Sequence, residues 1–476
     1  MFDKTTKRYY LILILLSTCA TSILIAQENN SYVIIDSIII KGVERTKPWV
    51  IEQEARIHKG DTIALQKINE KIEEITIDLN RTNLFSKVDI TYQLEFTEHY
   101  LIVIEIKIEE NWVLFPSIIF EIADRNFNVW WKEQNHSFSR INLGAKLFHY
   151  NITGRKDILR LQMHTGYTNK LEASYEYPYI SKRYNIGMRS GVLYTQNKEV
   201  VYKTENNKSL FYKDDQKSLF SRRRFSLGFK YRPNRKWTHS LNTDYVYNKV
   251  SPAITDLNPD YFLDGATKQQ FTAIVYNLEY YTKDFTSRPT KGIHLLFKVE
   301  KIGIPWIEKY NLINTIQKMS WTQSLYKKKI VFNILLQSKQ GILRDKKYPF
   351  NLYEGLGYNN DLVYGYEYYV IDGLDYFTVE NGLRIPLFNF NKSFIRVFKN
   401  EPKIKIKVNF DYLVNVNYGY VNDPFYKLNN ELSNTHLYSL STGFGFVIND
   451  AISIRVQGSI NHKKESGIFI HSKSSF

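Results

Sequence analysis

A chain of 476 residues with 64 Lys and Arg against 48 Asp and Glu, 36 Tyr, 29 Phe and a single Cys is basic and strongly aromatic. Aromatic and β-branched side chains suit a pleated, half-buried surface, so strands are favoured. The cations are spread along the chain and alternate with apolar residues, which argues against a concentrated phosphate-binding face and so against a nucleic-acid partner. The length admits about two to four ordinary domains, or one small domain and one large closed sheet.

Lys4, Lys7 and Arg8 precede an apolar run from Leu11 to Ile25, shorter than the ~20 residues of a spanning helix and suited to a signal peptide. Cleavage after Ala26 is expected, with Leu24 departing from the small-x-small rule. A lipoprotein signal at Cys19 is the lesser alternative, because Thr18 is a poor residue before a lipidated cysteine. With residues 1–26 removed, the chain has no cysteine and no disulfide. No later segment is apolar enough for a membrane helix.

From Tyr32, YVIIDSIIIKG reads as a strand, and Thr46 ahead of Pro48 reads as an N-cap with a first-turn proline. Leu65, Ile68, Ile72, Ile75 and Leu79 recur at helical spacing and share one face. LFSKVDITYQL and YLIVIEIKIEE read as strands, the second alternating Ile102, Ile104, Ile106 and Ile108 with Val103, Glu105, Lys107 and Glu109. The order strand, helix, helix, strand, strand over residues 31–111 makes a small α+β domain. In that order, IIIKGVERTKPWVI, IHKGD and RTNLFSKVDI resemble the strand-turn-helix opening, the inter-helix turn and the helix-to-strand passage of a POTRA domain.

After Trp112 the period becomes two. Leu159, Leu161 and Met163 alternate with Arg160, Gln162 and His164; Ile404, Ile406, Val408, Phe410 and Tyr412 alternate with Lys403, Lys405, Lys407, Asn409 and Asp411. FSLGFKYR, GIHLLFKVE and ISIRVQGS do the same, the signature of strands with one charged face. A soluble sandwich or propeller shares the period but uses strands of about 5–6 residues. Several segments here run for about ten or more, enough for a tilted strand to cross a bilayer.

The expected fold is therefore a transmembrane β-barrel over residues 112–476. Its sixteen antiparallel strands are placed near 115–123, 139–150, 157–166, 169–178, 183–203, 218–232, 236–250, 267–283, 291–301, 311–326, 329–342, 373–386, 402–420, 434–448, 451–463 and 466–475. Long connections at 204–217, 251–266 and 343–372 fall on one side and short ones at 233–235, 327–328 and 449–450 on the other; 387–401 is long for its side and has no account. On this parity Arg160, Lys230, Arg232, Lys403, Lys405 and Lys407 face a wet lumen, and SRRRF at 221–225 lies near the outer rim, within reach of lipid phosphates.

One outer connection contains LVYGYEYYVIDG, residues 362–373. With the small domain ahead of it, the whole mature chain resembles the BamA/TamA superfamily of outer-membrane assembly and translocation proteins, in the branch with one POTRA domain. ENWVLFPSIIFEIADRNFNVWW, NITGRKDILRLQMHTGY, LEASYEYPYI and SRPTKGIHLLF are similar to that family's first barrel strands and turn motifs. The resemblance implies that the sixth outer loop folds into the barrel and presents a Val-Arg-Gly-aromatic tip to an acid on the inner wall. The matching residues are Val363, Tyr364, Gly365 and Tyr366, with tyrosine in place of the arginine. NFDY carries the wall acid, Asp411, expected either to accept from the Tyr364 hydroxyl or to pair with a lumenal Lys or Arg. A plain surface hairpin at YGYEYY is the alternative.

There is no His-Glu-x-x-His, phosphate loop or nucleophile elbow. Glu109 with Glu110 and Asp214 with Asp215 are neighbours that point to opposite faces of a strand, so they read as solvated charges. No enzyme activity, metal or cofactor is expected. The resemblance implies a non-enzymatic factor for assembly, insertion or translocation of outer-membrane or secreted proteins. Unfolded clients would add a strand to the POTRA edge at Phe85, Val88, Ile90 and Tyr92. They would then be templated at a seam between the first strand (Phe115, Ile118, Phe120) and the last (Gly467, Phe469, Phe476). The expected location is the outer membrane with the POTRA domain in the periplasm, and the expected further partners are outer-membrane lipids and accessory periplasmic or lipoprotein subunits. A passive pore and a surface antigen or adhesin are the alternatives.

Overall fold

The computed structural model describes residues 31–476 except 83, 97–99, 181–184, 286, 327–328, 344–346, 359–360, 394–404, 427–429, 450–451 and 475–476. The expected signal peptide, Lys403 and Phe476 lie outside the described residues. The chain divides into two compact units, one ending at Asn111 and the other starting at Trp112.

The first unit is a mixed sheet under two helices. Strands β1 (Tyr32–Lys41), β2 (Thr62–Ala64), β3 (Phe85–Phe96) and β4 (Tyr100–Glu110) lie in the order β2-β1-β4-β3, with β1 parallel to β4. Helices α1 (Pro48–Ala55) and α2 (Ile68–Arg81) cover one face. Val33, Ile35, Ile102, Ile104 and Ile106 reach that face through the two-residue period and meet Ile51, Ala55, Ile75 and Leu79, all fully buried.

Two expectations fail in this unit. Thr46 is not the N-cap: Lys47 holds that position without a side-chain bond. Instead the Glu110 carboxylate accepts from the backbone N–H of Thr46 (2.6 Å) and of Arg45 (3.0 Å), so Glu110 ties a turn down and is not a free charge. Leu65 does not join the α2 face; it belongs to a 3-10 turn after β2 and is exposed, because β2 pairs with β1 and sets the chain direction there.

Strand β3 is at the edge of the sheet, with a ladder only to β4 among the described residues. Phe85 is buried, and Val88, Ile90 and Tyr92 pack on the core. What the edge offers a partner is therefore its backbone, while those side chains serve the interior.

The second unit is a sixteen-stranded antiparallel sheet in sequential order. Its strands are β5 (Leu114–Ile122), β6 (Ile141–Tyr150), β7 (Ile158–Gly166), β8 (Thr168–Tyr177), β9 (Ile186–Asn197), β12 (Phe220–Tyr231), β13 (Trp237–Val250), β14 (Lys268–Tyr281), β15 (Gly292–Ile302), β16 (Leu312–Leu325), β17 (Ile330–Gly341), β18 (Asp375–Ser393), β19 (Lys405–Asn422), β20 (His436–Ile448), β21 (Ile452–Asn461) and β22 (Ser466–Ser474). A separate hairpin, β10 (Glu199–Glu205) with β11 (Lys208–Lys213), stands between β9 and β12. Phe225, Leu227 and Phe229 of β12 are exposed on the outward face, while the intervening residues line a polar interior, as a barrel in lipid requires. In the lumen Arg160 and Lys230 both approach Glu176, at 3.3 and 3.9 Å.

The sheet departs from the expected strands in two places. The segment 183–203 does not run on as one strand: β9 stops at Asn197 and the alternation of VVYKTE belongs to the hairpin. Strand β18 continues past 386 to Ser393. Pro386 has no N–H to donate, and the β17 ladder has already ended at Val331–Arg384, so β18 continues beside β19 alone. Much of the unexplained 387–401 turn is therefore strand, and the rest lies outside the described residues. The SRRRF segment stands at the long-connection end of β12, and its cations divide between the two faces. Arg222 donates to Asn248 (3.0 Å) and Arg224 approaches Glu172 (3.7 Å), both inside; only Arg223 faces out.

Candidate functional site: the inserted loop and the strand seam

Long connections gather at one end of the barrel, and the connection 342–374 turns back into it. Gly365 at its tip has φ +89°, a backbone turn that favours glycine, and a Cβ there would lie a tight 3.2 Å from Cβ of Ser439 on β20. The wall grips this tip through polar atoms. Asn461 of β21 donates to the Gly365 carbonyl (3.0 Å), Ser439 donates to the Tyr364 carbonyl, and the Tyr366 hydroxyl donates to the Tyr438 carbonyl (3.2 Å) and meets His462 Nδ1. Glu367, buried, accepts from the Gly365 N–H (2.8 Å) and lies 3.3 Å from His471 Nε2 of β22. The tip is thus lodged against the last three strands.

The charges of the tip are rearranged. Arg455 Nη1 of β21 donates to the Tyr364 hydroxyl at 2.9 Å, so the guanidinium sits on the wall and the loop supplies the acceptor. Asp411 faces inward on β19 and takes a bidentate pair from Arg288, with Nε–Oδ2 at 2.9 Å; Arg384 stands 4.0 Å away. Arg288 comes from the SRPTKG turn between β14 and β15. Of the two arrangements expected for Asp411, the cation pair is present; Tyr364 does not donate to it.

The same loop closes the long-connection end. Tyr348, Tyr353 and Leu374 pack with Phe271, Tyr310 and Leu312, and Leu356, Val363 and Tyr366 pack with Val421, Leu432 and Leu437. The tip of the β10–β11 hairpin is pinned into this dome: Asn207 N–H donates to Asn430 (2.8 Å), and Asn207 accepts from the backbone N–H groups of Val370 (2.8 Å) and Leu432 (3.1 Å).

Beside the tip is the seam. Strands β5 and β22 end the sheet, and no ladder joins them among the described residues. Helix α3 (Phe127–Lys132), which follows β5, bridges the gap. Asn126 caps it by accepting from Val129 N–H (2.9 Å), leaving Asn128 aimed at the last strand. Asn128 donates to the Ile470 carbonyl (3.1 Å) and accepts from the Ile470 N–H (2.9 Å), so one side-chain amide fills the place of a neighbouring strand. The flanking residues hold the loop: Arg125 donates to the carbonyls of Tyr368 (2.7 Å) and Tyr369, and Asn126 to that of Glu367 (2.9 Å). Residues 125–128 therefore tie loop tip and last strand together.

Of the residues expected at the seam, Ile118 is 87% exposed and Phe120 also faces out. Phe115 lies on the opposite face and packs on Tyr150 (5.5 Å). Gly467 and Phe469 point inward, where Phe469 is buried against Tyr368; Ile468, on the opposite face, is exposed. Sequence reasoning missed Arg125, Asn126, Asn128, Glu367, Arg455 and His471. The capping pattern of DRNFN was the one available signal.

Comparison with known proteins matches the description "POTRA: Surface antigen variable number repeat" to residues 33–111. Among solved structures, BamA from Haemophilus ducreyi lacking POTRA domains 1–3 is similar at TM-score 0.58 and 13% identity, covering 92% of this chain and 83% of that one. CdiB from Acinetobacter baumannii is similar at TM-score 0.54 and 11% identity, covering 93% and 74%. CdiB from Escherichia coli reaches TM-score 0.50 at 8% identity, covering 94% and 91%. No curated protein matches in sequence.

Proposed function

We propose, from the POTRA match and the likeness of the fold to POTRA-plus-barrel proteins of the BamA/TamA superfamily, that the chain delivers unfolded outer-membrane or secreted proteins into or across the outer membrane without catalysing a reaction. The POTRA unit lies in the periplasm, and the dome of long loops faces outward. A client first adds a strand to the free backbone edge of β3. It is then templated at the seam between β5 and β22. Outer-membrane lipids surround the barrel, and accessory periplasmic or lipoprotein subunits complete the machinery.

The observation that carries this reading is the seam held by a side chain. A closed barrel has no free edge and nowhere to pair a client. Here the edge of β22 is occupied at Ile470 by two hydrogen bonds from Asn128, together worth about 1–3 kcal/mol. A client strand making several backbone bonds outcompetes such a latch, whereas it could not displace a full ladder. The passive pore finds less support, because the inserted loop and the pinned hairpin fill the outer mouth.

Photo-cross-linkers at Thr91 of β3 and at Ile468 of β22 test the proposal in cells. Newly made barrel or secreted proteins are expected at both positions, first at Thr91. If depletion leaves the outer-membrane and secreted proteomes unchanged and neither position traps a nascent protein, the proposal fails.

A further inference from the structure

Inside the barrel several cations are matched: Arg224 with Glu172, Lys298 with Glu300, Lys318 with Asp361. On the outward face near the dome, three are not. Lys249 and Lys268 stand directly opposite one another in the β13–β14 ladder, with Ser221 of β12 on the other side of Lys249. Arg223 faces out two residues along β12, paired across the ladders with Tyr194 and Tyr247. All three cations are exposed, and none has an ion pair among the described residues. The outward neighbours Ser221, Tyr194, Tyr247, Gln270 and Gln196 bring no carboxylate.

Strand spacing of about 5 Å and a same-face repeat of about 7 Å put the three charges within about 12 Å of each other at the backbone. Like charges directly opposite in a ladder repel and destabilise the sheet, so an anion between Lys249 and Lys268 would convert a cost into a gain. Their level on the barrel says which anion. The next outward row toward the membrane centre is Phe225 and Tyr245, both exposed rings, followed by Leu227. The cations therefore stand just above the apolar belt, at headgroup height. Arg223, held 5.9 Å over the Tyr194 ring, offers a planar fork for phosphate oxygens.

We propose that Arg223, Lys249 and Lys268 form a binding site for the phosphate of an outer-leaflet lipid headgroup. The site is independent of the seam, and it joins one arginine of the SRRRF segment to two lysines distant in sequence.

The test uses the full chain in maltoside micelles, which carry no phosphate, and reads the melting temperature from heat-modifiable migration. Added diphosphoryl lipid A is expected to raise the melting temperature of the wild type by about 1–3 °C and to leave the Arg223→Gln/Lys249→Gln/Lys268→Gln triple variant unmoved. Without lipid A, Lys249→Gln alone is expected to melt above the wild type, since the repulsion is gone; with lipid A the order reverses. An equal lipid A response in the triple variant overturns the proposal. So does a shift of the same size produced by inorganic phosphate, which would assign the site to the free ion.

Discussion

Replacing Asn128 by alanine removes both bonds to Ile470 while leaving the capping residue Asn126 and the helix in place. Two lost hydrogen bonds at about 1 kcal/mol each shift the balance between latched and open seam by about 2 kcal/mol, roughly 30-fold. Ile470 reports this directly, because its N–H is the donor that loses its acceptor. Hydrogen exchange of the segment 466–474 is expected to accelerate by about that factor at Ile470, with the strand interior β12–β17 unchanged. Asn128→Asp should lie between, since a carboxylate can accept from the N–H but cannot donate to the carbonyl. Single-channel recordings should show more frequent brief openings in the same order. Unchanged exchange at Ile470, or uniform acceleration throughout the barrel, would refute the idea that this one side chain holds the edge.

Other consequences follow from the charges around the tip. Tyr364→Phe removes the acceptor of Arg455 and should destabilise loop docking by about 1–2 kcal/mol, read as faster proteolysis near the tip; normal protection would show that packing alone holds it. Arg288→Ala leaves the Asp411 carboxylate buried without its bidentate partner and with Arg384 4.0 Å away, at an expected cost of about 2–4 kcal/mol, and adding Asp411→Asn should recover part of it in a melting assay. In the outer dome the Asp372 carboxyl is pushed up to about 6, chiefly by burial. Because the folded dome favours the protonated form, its stability falls as pH rises from about 4 to about 6 and is level above. Protease resistance of the loops should fall accordingly, and Asp372→Asn should flatten the profile.

The strands were legible because lipid and water impose a two-residue period: Leu159, Leu161 and Met163 declare one face whatever their neighbours. The apolar run of Ile102–Ile108 and the helical spacing of Ile68, Ile75 and Leu79 were legible for the same reason, since burial is a local demand on each side chain. Alternation does not say where a ladder ends, so the hairpin at 199–213 merged with β9, and Pro386 looked like the end of a strand when it marks only the loss of one neighbour. The candidate site was less legible. Arg288 meets Asp411 across 123 positions and Asn128 meets Ile470 across 342, and nothing in the period or composition of either segment names the other. A tyrosine in place of an expected arginine could be read from the chain, but the relocation of the guanidinium to Arg455 could not.

That relocation makes loop and wall a matched cassette. A loop grafted from a relative with arginine at this place would bring a guanidinium to a wall that already presents Arg455 to position 364, with Arg288 and Arg384 close by on Asp411. The graft would need position 455 changed with it. Loop tip and wall residue therefore behave as one replaceable unit, and a chimaera that swaps either half alone carries an unmatched charge into the lumen.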